Sequence, residues 1–183
     1  PSTYEATTHH RLTTDFEFGT DGKSIDILLR EGAKSNCIKH FDTLETIQFS
    51  ESMRAFIDVG ALFQGISNRQ IAERLIEKVP DNIKGIVFYL DNEPMVLCKP
   101  NNDIKLLSDI SFKPEELFTY YDQYHTTGSD IPQMSNARAI VSVAKSTLTH
   151  ELFQGMWRLR QIDQNQSFEL MLAPDIDSAC KTV

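Results

Sequence analysis

The chain has 183 residues, of which 40% are hydrophobic, and this length and composition favour one domain with a buried core. No run approaches the roughly 18 consecutive apolar residues of a membrane helix, and the polar start lacks the charged head and apolar middle of a secretory signal, so we expect a cytoplasmic protein without a membrane segment. The formal net charge of -8 argues against a general basic surface for nucleic acid, so any nucleic-acid contact must be local or come from a partner domain.

The first 50 residues have the weakest secondary-structure pattern, and we interpret residues 1–50 as an N-terminal elaboration packed on the core. Alternation around Ile25, Ile27 and Leu29 predicts one strand. The histidines of this part have no carboxylate or thiol at metal-ligand spacing, which favours surface residues over a metal site. They are His9, His10 and His40.

A strand that leads into a helix is predicted after Arg54. The apolar, β-branched run of residues 55–65 ends in glycine and is typical of a strand, and the segment after it has helical periodicity. Ser67 is the predicted N-cap, Gln70 completes a capping box, and Pro80 ends the helix.

Two core strands and an edge hairpin are predicted in the middle of the chain. Residues 85–90 form a nearly continuous apolar run, typical of a strand buried on both faces. Residues 95–98 follow a turn-forming segment and are predicted as the hairpin partner at the sheet edge. After short helical stretches at residues 106–107 and 114–117, residues 118–122 are predicted as another core strand.

The last third of the chain alternates strand, helix and strand. Residues 139–143 and 168–172 are the predicted strands, and the helix between them is predicted from the N-cap Thr149 to about Gln161. This alternation favours an α/β domain with a mostly parallel central sheet, helices on both faces, and ligands at the carboxyl ends of the strands.

The loop after residue 122 combines residue types that suit a binding loop. Gly128 permits a positive φ, Asp130 can accept hydrogen bonds from a hydroxyl or orient an arginine, and Pro132 prevents a helix. The same residue types are common in turns, so an ordinary connection between two strands is the alternative.

The last predicted helix carries a polar stripe beside an apolar one. Gln154, Arg158 and Gln161 recur at helical spacing and project from one side, which suits a cleft between domains. Arg160 would point about 100° away from Gln161 on such a helix. The alternative is that both arginines belong to a solvated surface that pairs with the chain's acids.

Together these elements resemble motifs V and VI in the second, RecA-like lobe of superfamily 2 helicases and translocases. The shared order is a strand, a loop with G-x-D-I-P, a strand, a polar connection, a helix with Q-x-x-x-R, and a final strand. The resemblance implies a RecA-like three-layer fold for residues 51–183. It gives catalytic roles to Gln154 and Arg158, with the arginine facing the γ-phosphate of ATP held by the first lobe. The nucleotide-binding residues that it implies are Thr126, Thr127, Gly128, Asp130, Arg160 and Gln161.

The chain lacks the parts that this resemblance places in the first lobe. No G-x-x-x-x-G-K-[ST] loop is present, so we expect no hydrolysis by this chain alone. ATP with Mg²⁺ is expected only together with a preceding RecA-like lobe of the same polypeptide, and the start at Pro1 fits a fragment of a longer protein. Motif VI also usually has a second arginine where this sequence has Gln161, with Arg160 one position early.

Residues 54–172 also resemble, more narrowly, blocks of very large fungal and protist proteins with domains of unknown function, some of which carry ubiquitin-hydrolase labels. The strings are DVGAL, FYLD, DQYHTTGSDI and QGMWRLR. The label raises a cysteine-peptidase hypothesis, in which Cys98 would pair with His125 and with Asp122 or Asp130. Because Cys98 lies in an apolar run, away from a helix N-terminus or a basic cluster, we expect an inert buried thiol.

A non-catalytic RecA-like scaffold that recognises a protein partner is the alternative function. The acidic charge and the missing first lobe favour it. Phe153 and Trp157 would then be interface anchors, whereas packing of the helix on the core is the more common role of such aromatic residues.

Overall fold

The computed structural model describes residues 47–128, 130–162 and 164–173, together with Asp26, Lys39, His40, Leu44 and Ile176. The chain divides into two units, residues 1–36 and 37–183. Asp26 is the described residue of the first unit and is helical, whereas the alternation around it predicts a strand. The other residues named in that prediction, Ile25, Ile27 and Leu29, and the histidines His9 and His10 lie outside the described residues.

One mixed sheet contains the eight strands of the described part of the chain. The strands are β1 (Lys39–His40), β2 (Met53–Ile57), β3 (Gly85–Leu90), β4 (Glu93–Cys98), β5 (Asp103–Leu106), β6 (Leu117–Tyr121), β7 (Arg138–Val143) and β8 (Ser167–Leu172). Their order is β1-β8-β7-β2-β6-β3-β4-β5. All neighbours from β1 to β3 in this order are parallel, and β4 and β5 are antiparallel additions at one border. The predicted α/β class with a mostly parallel sheet is confirmed. Residues 95–98 also form the hairpin partner of β3, but the prediction that they lie at the sheet edge is wrong, because β5 pairs with the other side of β4.

Strand β5 lies where the sequence predicts the start of a short helical stretch. Asp103 pairs with Cys98 and Leu106 with Met95, and a 3₁₀ turn follows at Leu107–Asp109. Asn102 has a φ of 58°, which permits the tight reversal between β4 and β5. The short helical stretches predicted around residues 106–107 and at 114–117 are thus found as 3₁₀ turns at Leu107–Asp109 and Pro114–Glu116, while pairing with β4 keeps Leu106 in the strand.

Helix α1 (Asn68–Ile76) begins as predicted. Ser67 Oγ accepts a hydrogen bond from Gln70 N, and Gln70 Oε1 accepts one from Ser67 N, which is a capping box. The helix ends before Pro80, with Glu77 at its C-cap. Its buried side joins the main hydrophobic cluster through Ile71, Ala72, Leu75 and Ile76.

Helix α2 (Thr149–Met156) covers the face of the sheet opposite to α1. A Cβ atom at Gly155 would lie 2.4 Å from Val59 Cγ2 and 3.3 Å from Ile57 Cγ2, so α2 packs closely on the end of β2. The hydrophobic cluster in which α1 is buried includes Phe56 of β2, so α1 packs on the face of the sheet to which Phe56 points. Phe56 and Ile57 are neighbours in β2 and point to opposite faces. The prediction of helices on both faces is therefore confirmed.

Both ends of α2 differ from the prediction. Leu148, and not Thr149, occupies the N-cap position. The helix ends at Met156 and not near residue 161, because the hydrogen bond from Leu159 N to Met156 O (3.0 Å) closes a tighter turn. This turn buries Leu159 completely, and burial of that side chain prevails over the helical periodicity. Among the described helices, none combines the length and the apolar character needed to cross a membrane.

Candidate functional site

The carboxyl ends of β2, β3, β6 and β7 lie at one edge of the sheet because these strands are parallel neighbours. In open α/β sheets, ligands bind outside this edge, at the point where the strand order reverses. From β2 the chain continues to β3, which lies on one side of β2 in the sheet. From β6, on that same side, the chain later crosses to β7, which lies on the opposite side of β2. The carboxyl edge around β2 is therefore the place to look for a site.

Two segments that the sequence predicts as site elements meet at this edge. Thr127 Oγ1 donates a hydrogen bond to Gln154 Oε1 (3.0 Å), which joins the loop after β6 to α2. Arg160 Nε donates to Asp130 Oδ1 (3.1 Å), which joins the same loop to the turn after α2. These four residues and Arg158 are called the loop–helix cluster below.

Arg158 is half-buried within this cluster. Burial lowers the pKa of its guanidinium, and the neighbouring charge of Arg160 lowers it further. Tyr121, Asp130 and Tyr89 act in the opposite direction on the same pKa. An arginine starts from so high a pKa that Arg158 keeps its charge. Arg158 and Asp130 thus lie on the same side of the molecule, within electrostatic reach of each other.

The predicted loop residues Gly128 and Thr126 have different surroundings. Gly128 is exposed with a φ of 76°, so the predicted positive φ is confirmed. Thr126 is buried, and its Oγ1 donates a hydrogen bond to Gln123 O (2.9 Å). The hydroxyl of Thr126 therefore stabilises the loop and does not face the surface, which departs from its predicted contact with nucleotide.

The predicted helical stripe of Gln154, Arg158 and Gln161 is wrong, because only Gln154 lies on α2. The helix ends at Met156, which places Arg158, and three residues later Gln161, in the turns that follow. The backbone nitrogen of Gln161 donates to Gln166 Oε1 (2.7 Å), which orders this turn. The assumed angle of 100° between Arg160 and Gln161 no longer applies, because neither residue is on the helix.

Asp58 directly follows β2 and is a buried carboxylate that sequence analysis did not single out. Desolvation raises its pKa, although four hydrogen bonds to the carboxylate oppose this shift. The donors are Ser142 Oγ (2.6 Å), Leu62 N (2.9 Å), Phe63 N (3.4 Å) and the Tyr120 hydroxyl (3.4 Å). The carboxylate of Asp58 therefore connects the ends of β2, β6 and β7 with the loop that follows β2.

The raised pKa of Asp58 predicts how stability depends on pH. The folded state holds this proton to higher pH than the unfolded chain does, so the contribution of Asp58 to stability falls as pH rises from about 4, the unfolded pKa, through the folded pKa. We expect the wild-type protein to lose stability relative to Asp58→Asn over this window. Urea unfolding of both proteins at a series of pH values measures the difference, and a difference that is constant or changes with the opposite sign contradicts the prediction.

His125 is held by the N-cap of its own turn and by two residues of the β3–β4 hairpin. Its Nδ1 lies 2.6 Å from Asp122 Oδ2, its Nε2 lies 3.2 Å from Asn92 Oδ1, and its ring stacks on Tyr89 at 3.9 Å between centroids. Asn68 Nδ2 donates to Asp122 Oδ2 (2.6 Å) and to Tyr89 O (3.0 Å). These five residues are called the His125 junction below. The sequence indicated His125 and Asp122 only as candidates for a peptidase.

Two cavities adjoin the His125 junction. The larger, of about 830 Å³, is lined by Asp58, Asn68 and Asp122, among others. The smaller, of about 500 Å³, is lined by Thr127, Gly128 and Asp130, among others. Both are lined by Tyr89, Asn92, Tyr124 and His125. The junction therefore lies between the buried carboxylates and the loop–helix cluster.

Cys98 is remote from His125, which contradicts the cysteine-peptidase hypothesis. Cys98 pairs with Gly85 at the start of β3, whereas Tyr89, which stacks on His125, lies near the opposite end of that strand. Cys98 is buried, and burial raises the pKa of its thiol. The expectation of a buried thiol is confirmed.

Neither the search for a metal site nor the comparisons with known proteins identify a function. In the part of the chain that the structure describes, no group of three or more histidine, cysteine, aspartate or glutamate side chains could hold a metal ion. No family model, curated protein or solved structure matches the chain. The functional argument therefore depends on the loop–helix cluster and the His125 junction.

Proposed function

We propose that this chain is the second, RecA-like lobe of an ATP-dependent helicase-like or translocase-like protein. The observation that carries the proposal is the contact between the loop after β6 and the α2 region, made by the pairs Thr127–Gln154 and Asp130–Arg160. The resemblance to motifs V and VI implies that these two elements contact a bound nucleotide. Their position at the carboxyl edge of a mostly parallel sheet supports the proposal.

Arg158 is the proposed catalytic cation, and Gln154 is proposed to position it. Arg158 Nε donates to Gln154 O (3.3 Å), while the side chain of Gln154 accepts from Thr127. A guanidinium presents a fixed fork of donors that matches the oxygens of a transferring phosphoryl group. ATP with Mg²⁺, when bound by the first lobe, supplies that group. In this arrangement Gln154 links the catalytic arginine to the loop.

Arg160 is proposed as a second cation in place of the arginine that motif VI usually has at the position of Gln161. Its ion pair with Asp130 is exposed, with 56% and 72% of the two side chains accessible. Exposed pairs contribute about 0–1 kcal/mol, so Arg160 can exchange Asp130 for a phosphate oxygen at little cost. Asp130 is then able to accept a hydrogen bond from a ribose hydroxyl.

The alternative function, a non-catalytic scaffold, would use Phe153 and Trp157 as exposed anchors. Both side chains are half-buried. Their helix also packs closely on the sheet through Gly155. Because packing of α2 on the core already buries part of Phe153 and Trp157, less of their surface is left for a protein partner. We therefore favour the motor lobe over the scaffold.

ATP hydrolysis by a polypeptide that contains both lobes tests the proposal. We expect Mg²⁺-dependent phosphate release from the two-lobe polypeptide and none above background from residues 1–183 alone, because this sequence has no phosphate-binding loop. A coupled phosphate assay at equal protein concentrations measures both, with the separate first lobe as the matched control. A first lobe that is equally active without this chain, or a two-lobe polypeptide that releases no phosphate, refutes the motor assignment.

A further inference from the structure

We infer that His125 is a positioning residue for the loop–helix cluster, because it fixes the loop of residues 126–130 to the sheet and so sets where Arg158 and Arg160 meet the nucleotide. This inference rests on the proposed function. It adds a residue outside the set that the resemblance to motifs V and VI assigns.

His125 joins the loop to three places on the carboxyl edge. Nδ1 contacts Asp122 at the end of β6, Nε2 contacts Asn92 in the turn between β3 and β4, and the ring stacks on Tyr89 with an angle of 5° between the planes. Asn68, the first residue of α1, closes the network through Asp122 and Tyr89. Removing the imidazole therefore releases three contacts that hold the start of the loop.

The loop continues from His125 directly into the loop–helix cluster. Thr126, the next residue, is buried, and Thr127 then contacts Gln154. Tyr89, on which the His125 ring lies, also lines the smaller cavity together with Thr127 and Asp130. The junction and the cluster thus share a short stretch of backbone and one cavity, so we expect a shift of His125 to move the loop residues that contact Gln154 and Arg160.

Substitution of His125 by asparagine or by glutamine tests the contacts of the two ring nitrogens one at a time. In His125→Asn the amide takes the place of Nδ1 and can donate to Asp122, whereas in His125→Gln it reaches the place of Nε2, close to Asn92. The contact with Asp122 is the shorter one, 2.6 Å against 3.2 Å, and its acceptor is a carboxylate. We therefore expect His125→Asn to preserve the loop position and His125→Gln and His125→Ala to lose it.

Hydrogen exchange of residues 1–183 measures the loop position without ATP. In His125→Ala and His125→Gln, the amides of residues 124–126, which belong to the hydrogen-bonded turn at the start of the loop, are expected to exchange about tenfold faster, because local opening of this turn becomes easier. In His125→Asn they are expected to stay within about twofold of the wild type. Amides of β2 and β6 serve as internal controls and are expected to be unchanged.

Steady-state kinetics of the two-lobe polypeptide measures the catalytic consequence. A displacement of about 1 Å can reduce a rate by about 10²-fold, so we expect kcat to fall about 100-fold in His125→Ala and His125→Gln. The KM for ATP is expected to change by less than about threefold, since the first lobe binds most of the nucleotide. A merely structural role predicts equal losses in all three variants, whereas the inference requires rescue by asparagine.

The inference is overturned if His125→Asn is as defective as His125→Ala, or if loop exchange is the same in all variants. If His125→Ala fails to fold, the comparison of His125→Gln with His125→Asn decides: equal loop exchange in the two variants overturns the inference, and faster exchange in His125→Gln supports it. Asn92→Gly removes only the contact at Nε2, in a turn residue whose φ of 65° glycine tolerates, so like His125→Asn it is expected to leave loop exchange unchanged. A two-lobe polypeptide without ATPase activity refutes the motor function, while the exchange pattern still decides whether His125 positions the loop.

Discussion

Replacing Arg158 with alanine is expected to lower the ATP turnover of the two-lobe polypeptide by about 10³-fold, the lower range for arginines that stabilise phosphoryl transfer. The reason is that the guanidinium of Arg158, held by Gln154 O, would no longer meet the charge that develops on the γ-phosphoryl group. Phosphate release at saturating ATP measures kcat, and urea unfolding shows that the fold is retained.

Two further variants make the result specific to Arg158. Arg74→Ala removes an exposed arginine from the last turn of α1, which runs away from the carboxyl edge, and is expected to leave turnover unchanged. Arg158→Lys keeps the charge but loses the fork of donors, so it is expected to recover little of the lost rate. Turnover of Arg158→Ala within about tenfold of the wild type contradicts a catalytic role.

Replacing Asp58 with alanine is expected to reduce the free energy of unfolding by about 3–5 kcal/mol. The change leaves the hydroxyls of Ser142 and Tyr120 and the backbone amides of residues 62 and 63 without their buried acceptor. Each unsatisfied donor costs about 1–3 kcal/mol, reduced where the loop after β2 can turn towards water. Urea titration at pH 7 gives the free energy directly.

The controls for Asp58 separate the loss of the acceptor from the loss of charge. Asp58→Asn retains one oxygen acceptor and is expected to lose less stability than Asp58→Ala. Asp81→Ala changes an exposed aspartate in the turn after α1 and is expected to stay within about 0.5 kcal/mol of the wild type. A loss below about 1 kcal/mol for Asp58→Ala means that water replaces the carboxylate as acceptor.

Local patterns were sufficient to predict most of the strands and the start of α1. The apolar run of residues 85–90 needs only its own sequence to predict a buried strand, and it coincides with β3. The capping box of Ser67 and Gln70 is a contact between residues three apart, so it is also visible in the sequence. The end of α2 was missed because the burial of Leu159 depends on the rest of the fold.

The two parts of the candidate site differ in how far the sequence could predict them. The pairs Thr127–Gln154 and Asp130–Arg160 span 27 and 30 residues and join the two segments in which the sequence resembles motifs V and VI, so that resemblance indicated which segments to compare. Asp58 meets Tyr120 and Ser142 across 62 and 84 residues. These contacts follow from the order of β2, β6 and β7 in the sheet, which no local pattern in a single sequence specifies.

Strand β5 affects whether the sheet can extend into a neighbouring molecule. It ends one side of the sheet with a short segment in which the exposed Asp103 and Lys105 alternate with Ile104 and Leu106. Short, charged border strands discourage further strands from adding to a sheet, which protects against fibrous association. Growth of the sheet into a neighbouring molecule is therefore disfavoured on this side.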